Sequence, residues 1–303
     1  MGRVAVIQGV VRRPEEATIS VYDRGFLYGD SVFETVRTYG GKLFAFDEHL
    51  ERLAESAEKM GFELPVSPAE LAAETRAGIE AAGNEESYAR IMITRGTGPL
   101  GLDTSLAEGP RRVILVEPLV LPPAEQYETG ISAICVETVR ASDAADSAKI
   151  GNYLASALAL KKAKEAGARE ALVVNRDGVV VEGTTSNVFA VIDGVLVTPP
   201  LDAGILAGIT RKYVLLLAEE DKIEVRFDAL SRQAILEVDE LFLTSSIREV
   251  MPIVEVDGVP IGDGKPGEMT RHIHQRFRRH VGLGDRPPGA PTPVGQDRDV
   301  EGG

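Results

Sequence analysis

Two tight-turn signals constrain the fold more than anything else in the chain. Arg176-Asp177-Gly178 and Asp193-Gly194 each separate two short apolar runs. Asp and Gly accept the left-handed backbone that a hairpin turn needs, so each pair of runs is predicted to form antiparallel strands joined directly. Helical patterns occur as well, but they do not alternate with the strands one for one. An α+β fold is therefore predicted in preference to a doubly wound parallel sheet.

Periodicity places the other elements. Ser31 to Tyr39 alternates, with Phe33, Thr35, Arg37 and Tyr39 on one side of a strand that ends at a Gly40-Gly41 turn. Asp47 reads as the N-cap of a helix running to about Met60, with Leu50, Leu53, Ala54, Ala57 and Met60 as its apolar stripe. A second helix is predicted over Pro68 to Ala82, then strands over Tyr88 to Thr94 and Arg112 to Glu117. The stretch from Glu117 to Gly130 holds Pro118, Pro122 and Pro123 and has no period, which marks it as a connection. Beyond it come a strand from Ile131 to Val139, a helix from Tyr153 to Ala166, a helix from Ile209, another over Ser231 to Glu237, a strand over Glu240 to Thr244 and a last helix over Met269 to Val281. The predicted division is a smaller N-terminal α/β domain (1–117), a linker (118–129) and a larger C-terminal domain (130–282). The tail, 283–303, is too poor in apolar residues to fold and is expected to be disordered.

Charge and composition narrow the function classes. The 303 residues carry a formal net charge of −14, which disfavours nucleic acid and anionic membranes as partners. A single cysteine, Cys135, allows neither an internal disulfide nor a cysteine-based zinc site, and reads as a small buried hydrophobe. The N-terminus lacks the apolar core of a signal peptide, and no segment approaches the roughly 20 apolar residues of a membrane span, so a cytoplasmic protein is expected. His272 and His274 stand two apart in a helix and face different ways, so no metal site is expected there. The basic run Arg276 to Arg279 reads as a solvated helix face.

Several short motifs bear on chemistry. Gly96-Thr97-Gly98-Pro99-Leu100-Gly101 fits the dinucleotide pattern G-x-G-x-x-G, but the residues after it, with Gly109-Pro110, leave no room for the helix whose N-terminus would hold a pyrophosphate. The C-terminal half offers a more coherent set. Lys149 precedes Ile150-Gly151-Asn152-Tyr153 and a long helix. Glu182 ends the apolar run Val179-Val180-Val181. Ala207-Gly208-Ile209-Thr210 opens a helix, where free N–H groups bind anions, and Thr244-Ser245-Ser246 is a hydroxyl-rich turn after a strand. An amine, a carboxylate and two phosphate-grade turns are what pyridoxal phosphate requires: an imine-forming lysine, an acid for its ring nitrogen and a cradle for its phosphate.

In this combination the chain resembles the fold-type IV pyridoxal-phosphate enzymes, a family that includes branched-chain aminotransferases, D-amino acid aminotransferases and aminodeoxychorismate lyases. The carrying segments are Tyr22 to Glu34, His49-Leu50-Glu51-Arg52-Leu53, Lys149 with Asn152-Tyr153, Glu182-Gly183 with Ser186-Asn187, Gly208-Ile209-Thr210-Arg211 and the Ser245-Ser246 turn. The resemblance implies the two-domain D-amino acid aminotransferase-like fold, with the cofactor in the larger domain, and a homodimer in which the loop from Gly98 to Asp103 closes the partner's pocket. It also implies roles. Lys149 holds the cofactor as an imine and carries the proton. Glu182 pairs with the ring nitrogen, Arg52 reaches the phosphate, and the N–H groups of Ile209 and Thr210, the Thr210 hydroxyl and Ser246 complete the cradle. Tyr153 bonds the ring hydroxyl, although branched-chain enzymes have one more residue between the lysine and this tyrosine.

The substrate wall implied by the family takes in Phe33, Arg37, Tyr88, Arg90 and Ile247. Tyr88 and Arg90 share a strand face, similar to branched-chain enzymes, where N–H groups here near Ser246 and Ile247 would hold a carboxylate. D-amino acid enzymes place an Arg-x-His carboxylate trap after Arg-Gly-Thr; here, after Arg95-Gly96-Thr97, those positions are Leu100 and Leu102. The expected activity is amino transfer from an L-branched-chain amino acid to 2-oxoglutarate. The alternatives are an aminodeoxychorismate lyase, a D-amino acid or (R)-amine transaminase, and an inactive cofactor-binding homologue. Arg248 stands where branched-chain enzymes carry a small residue, and Glu182 to Asn187 looks closer to the lyases and D-specific enzymes.

Overall fold

The computed structural model describes residues 2–138 and 148–284. Most of the tail expected to be disordered, from 285 onward, lies outside the described residues, as does Val139, the expected end of one strand. Leu283, placed in that tail by the sequence, is instead buried against the last helix and its neighbours.

Among the described residues the strands form two sheets. The first is wholly antiparallel. It is built from β1 (Val4–Ile7), β2 (Val10–Arg12), β3 (Ser31–Tyr39), β4 (Lys42–Leu43), β5 (Ser87–Thr94) and β6 (Arg111–Pro118), in the order β2-β1-β6-β5-β3-β4. A short helix, α1 (Arg24–Tyr28), leads into β3. Helices α2 (Phe46–Lys59) and α3 (Pro68–Ala82) follow β4. They cover one face of the sheet, where Val32, Val36, Ala89, Ile91 and Ile93 pack against Leu50, Leu53 and Leu71. The other face carries Phe33, Thr35 and Arg37, in register with Met92, Arg90 and Tyr88 of β5. Strand alternation, read from sequence, thus separates a core face from a face free to build a site.

The second sheet mixes directions. Helix α4 (Ala124–Thr129) precedes β7 (Ile131–Glu137), α5 (Leu154–Glu165), β8 (Glu170–Val174), β9 (Val180–Gly183), β10 (Asn187–Ile192), β11 (Val195–Thr198), α6 (Ile209–Glu220), β12 (Val225–Phe227), β13 (Glu240–Ser245), β14 (Glu249–Val256), β15 (Val259–Pro260) and α7 (Glu268–His280). The order is β12-β11-β10-β13-β14-β7-β8-β9, and β9 pairs again with β10, so the sheet closes on itself. Both turn signals join antiparallel neighbours, β8 to β9 and β10 to β11. At the second turn Asp193 and Gly194 have φ of 50° and 77°, the left-handed pair that a two-residue hairpin needs. Apolar side chains such as Leu172, Val188, Leu243 and Met251 form one core of this sheet. A second core packs Phe189, Phe242 and Val250 against Val214 and Leu217 of α6 and Ile273 and Phe277 of α7. Tyr39 at the end of β3 enters this second core, which ties the first sheet to the second.

Several local expectations need correction. Asp47 lies within the first turn of α2, where its charge suits the helix dipole, and Ala45 at φ 48° is the N-cap. The proline-bearing connection contains α4, and the helix expected over Ser231 to Glu237 is only a three-residue 3-10 turn, Ala234–Leu236. Arg278 is buried rather than solvated, because it pairs with the buried Glu249. After the G-x-G-x-x-G segment the chain makes only a short 3-10 turn, Thr104–Leu106, with no helix of dinucleotide-site length. Among the described residues no helix is long and apolar enough to cross a membrane, and no group of metal-ligating side chains is found.

Candidate active site

A cavity of about 410 Å³ opens where β3 and β5 of the first sheet meet the seam of the second. Lys149 is fixed there by its backbone. Its carbonyl accepts from Phe33 N at 3.0 Å, and Gly151 N donates to Ser31 O at 2.8 Å, so residues 149–151 run as an extra strand segment beside β3. The approach is close: a Cβ on Gly151 would stand 2.1 Å from Ser31 Oγ, so that hydroxyl would have to turn away. Lys149 Nζ reaches Tyr153 OH at 3.4 Å and lies 4.6 Å from the centre of the Phe33 ring. Tyr153 is the residue that caps α5, so the start of that helix sets its position.

The seam supplies the acid. Glu182 on β9 stands opposite Asn187 on β10, which stands opposite Thr244 on β13. Directly opposed residues share a face, and all three line the cavity. Glu182 is buried, and one carboxylate oxygen accepts from Leu206 N at 3.1 Å. Asn187 donates to Leu206 O at 2.8 Å and packs so closely that a Cβ on Gly208 would come within 1.9 Å of its Oδ1. Gly208 is therefore the N-cap of α6 without any side-chain cap, and the N-terminal donors of the helix, at Ile209 and Thr210, are left for a ligand.

Arg52 projects from α2 to the same end of the cavity. Its Nε and Nη2 donate to the two oxygens of Glu34, each at 2.7 Å, and its Nη1 donates to Ala207 O at 2.6 Å. His49 Nδ1 lies 2.7 Å from Glu34 Oε2. Burial by itself would raise the Glu34 pKa. The Arg52 charge and the hydrogen bonds from His49 and Arg52 outweigh it and hold the carboxyl at about 2. Burial also lowers the His49 pKa, only partly opposed by Glu34, which favours neutral imidazole.

Eleven of the twelve side chains singled out by sequence meet at this cavity: Lys149, Arg52, Tyr153, Glu182, Ile209, Thr210, Ser246, Phe33, Tyr88, Arg90 and Ile247. Arg37 does not. It shares the face of Phe33 but sits farther along β3, where Glu249 takes its Nη1 at 3.2 Å. Sequence reading assigned no individual role to Glu34, Thr35 or Asn187, and took Thr244 only as the start of the hydroxyl-rich turn. A signal existed for Glu34, a carboxylate on the apolar face between Val32 and Val36, with His49 and Arg52 three apart on the facing helix. Arg248, left open by the sequence, lines the cavity with its guanidinium engaged by Glu170, by Thr185 Oγ1 at 3.1 Å and by Ser186 Oγ at 3.3 Å.

The residues present fit pyridoxal phosphate. The uncapped start of α6 and the forked donor Arg52 converge on one end of the cavity, suited to a phosphate. Glu182 and Lys149 offer the carboxylate and the amine. Thr244 Oγ1 is buried with no hydrogen-bond partner and lines the same cavity, an orphan that a bound polar group would satisfy.

Comparisons with known proteins show the family. The family described as amino-transferase class IV matches residues 31–256. A putative branched-chain-amino-acid aminotransferase of Methanocaldococcus jannaschii is 38% identical over 266 residues, 87% of this chain and 91% of that protein. A D-alanine aminotransferase of Bacillus licheniformis is 34% identical over 276 residues, 91% of this chain and 96% of that protein. Among solved structures, a T.th. branched-chain amino acid aminotransferase with pyridoxamine 5'-phosphate superposes with a TM-score of 0.87 at 29% identity, covering 94% of this chain and 96% of that one. The Escherichia coli branched-chain enzyme gives 0.86 at 32% identity, covering 95% and 98%.

Proposed function

This chain belongs to the class IV aminotransferases, pyridoxal-phosphate enzymes of fold type IV, and we propose that within that family it moves the amino group of an L-branched-chain amino acid to 2-oxoglutarate. The cofactor, when bound, supplies an aldehyde that condenses with the amine and a ring that accepts the electron pair released at Cα. Lys149 is the group placed to take and return the Cα proton, since its Nζ lies in the cavity beside Tyr153 OH. Glu182, a buried carboxyl group at the seam, would pair with the ring nitrogen. Arg52, the N–H groups of Ile209 and Thr210, the Thr210 hydroxyl and Ser246 would hold the phosphate, and Tyr153 would bond the ring hydroxyl.

The observation that carries the substrate reading is the contrast between two arginines. Arg90 lies over the Phe33 ring at 3.9 Å and has no carboxylate partner among the described residues, whereas Arg248 is committed to Glu170. A substrate carboxylate in a closed pocket must find donors, because an unpaired buried charge costs several kcal/mol. Arg90, Tyr88 and the N–H groups after Ser246 supply them on one side. Leu100 and Leu102, 72% and 80% exposed and apolar, supply none. The names of the relatives divide between branched-chain and D-alanine enzymes, so this polarity is the ground for preferring an L-branched-chain substrate. With 2-oxoglutarate as acceptor, L-leucine is expected to turn over faster than D-alanine. Faster D-alanine turnover would reverse the pocket's polarity and make Arg248 the carboxylate donor; pyruvate release from aminodeoxychorismate would replace transfer by elimination.

We further read the protein as a homodimer. The loop bearing Leu100 and Leu102 is anchored at its base, where Arg24 Nη1 donates to Gly101 O at 3.0 Å and Gly101 N donates to Tyr28 OH at 3.0 Å. The two leucines stand clear of their own chain's core, as a loop that closes a second copy's pocket would. Light scattering at assay concentration should give twice the chain mass; an active monomer would refute the assignment.

A further inference from the structure

Glu34 is a fully committed carboxylate near the cavity, yet it contributes no surface to it. Oε1 accepts from Arg52 Nε. Oε2 accepts from Arg52 Nη2, lies 2.7 Å from His49 Nδ1, and accepts from its own neighbour Thr35 N at 3.3 Å. With Nη1 on Ala207 O, one N–H on each of Nη1 and Nη2 is uncommitted among the described residues. A guanidinium clamped along one edge cannot swing, so its remaining edge has one orientation. His49, Arg52 and Ser56 lie on one face of α2, and Ser56 Oγ accepts from Lys149 N at 3.1 Å. One helix face thus registers both the guanidinium and the lysine backbone against β3.

We propose that Glu34 is a positioning residue for the cofactor's phosphate: it aims the two remaining N–H groups of Arg52, with His49 as the second prop that holds the carboxylate in place. The inference rests on the reading that Arg52 grips the phosphate, and it has a consequence that electrostatics alone would not give. Glu34 is an anion close to the site for another anion. If its charge were all that mattered, neutralising it would tighten phosphate binding. If it acts by aiming Arg52, neutralising it weakens binding, because a fork left free loses its fixed geometry.

Glu34→Gln and Glu34→Asp separate these effects, with pyridoxal phosphate and unphosphorylated pyridoxal as the probes, each titrated against apoenzyme by absorbance. Both variants are expected to bind pyridoxal phosphate about tenfold more weakly than wild type, the scale of one charge-assisted contact. Binding of pyridoxal should stay at the wild-type value, since the defect lies at the phosphate end only. Aspartate keeps the charge but is too short to reach both Arg52 and His49, so it decides the matter if the glutamine variant fails to fold. Tighter binding by Glu34→Gln, unchanged binding by Glu34→Asp, or equal weakening for both probes would each overturn the proposal. Arg52→Ala is the control for the underlying reading. If it binds pyridoxal phosphate as wild type does, Arg52 is no phosphate ligand and the inference falls with it. If it weakens binding while the Glu34 variants do not, only the role of Glu34 is wrong.

Discussion

Replacing Lys149 by alanine is expected to lower the rate of amino transfer by at least about 10³-fold, the scale of losing a positioned proton carrier, while leaving the fold intact. The two halves of this expectation come from different atoms. What Lys149 gives the fold is backbone: its carbonyl accepts from Phe33 N and its N–H donates to Ser56 Oγ. Alanine keeps both bonds. What it gives the site is Nζ, whose contacts are Tyr153 OH and the Phe33 ring. Steady-state rates with L-leucine and 2-oxoglutarate, beside a melting curve, test both halves. A variant that keeps a tenth of the wild-type rate would move the proton transfer to another residue.

The second large effect concerns stability. Glu249→Ala is expected to destabilise the protein by about 3–5 kcal/mol, the range for breaking a buried ion pair by removing one partner. Glu249 ends the tight turn after Ser246, Ile247 and Arg248, with φ at 55°, a position that usually favours glycine. A glutamate is held there by its carboxylate, which takes Arg37 Nη1 at 3.2 Å and Arg278 Nη1 at 2.9 Å and lies 3.0 Å from His274 Nε2. Removing it takes the shared carboxylate away from two buried guanidinium groups. Denaturant unfolding should show the loss, and a change below about 1 kcal/mol would mean that water already screens the cluster. Acid should act in the same direction. Glu249 and Glu34 are both held below the ordinary carboxylate value of 4.5, Glu34 at about 2, despite burial that opposes ionisation. Their contribution is therefore complete above that value and is lost as pH falls from about 4.5 toward 2.

The parts of this molecule legible in its sequence are those set by local rules. Alternation in β3 and β5 placed Phe33, Tyr88 and Arg90 on one face, and two turn signals placed the hairpins of the second sheet. The residues proposed to hold the cofactor line one cavity, and they could be picked out because their motifs have fixed order and chemistry. What escaped was set by pairing between distant segments. Arg37 obeys the same alternation as Phe33, but it sits farther along β3, where Glu249, far away in sequence, pairs with it. The same carboxylate buries Arg278, which a basic run on a helix gave no reason to expect. Closure of the second sheet through Glu182 and Asn187 aligns Thr244 with them, and no local pattern marks that row. Ala45 caps α2 by its left-handed backbone alone, where sequence reading looked for a side-chain oxygen and chose Asp47.

The central claim is that the cavity at Lys149 is where the cofactor is held and the amino group moves. Borohydride reduction of the holoenzyme, followed by proteolysis and mass spectrometry of the peptides, tests it most directly. The pyridoxyl group is expected on the peptide containing Lys149 and Tyr153. An adduct on Lys161, or on any other lysine with Lys149 unmodified, would contradict the account.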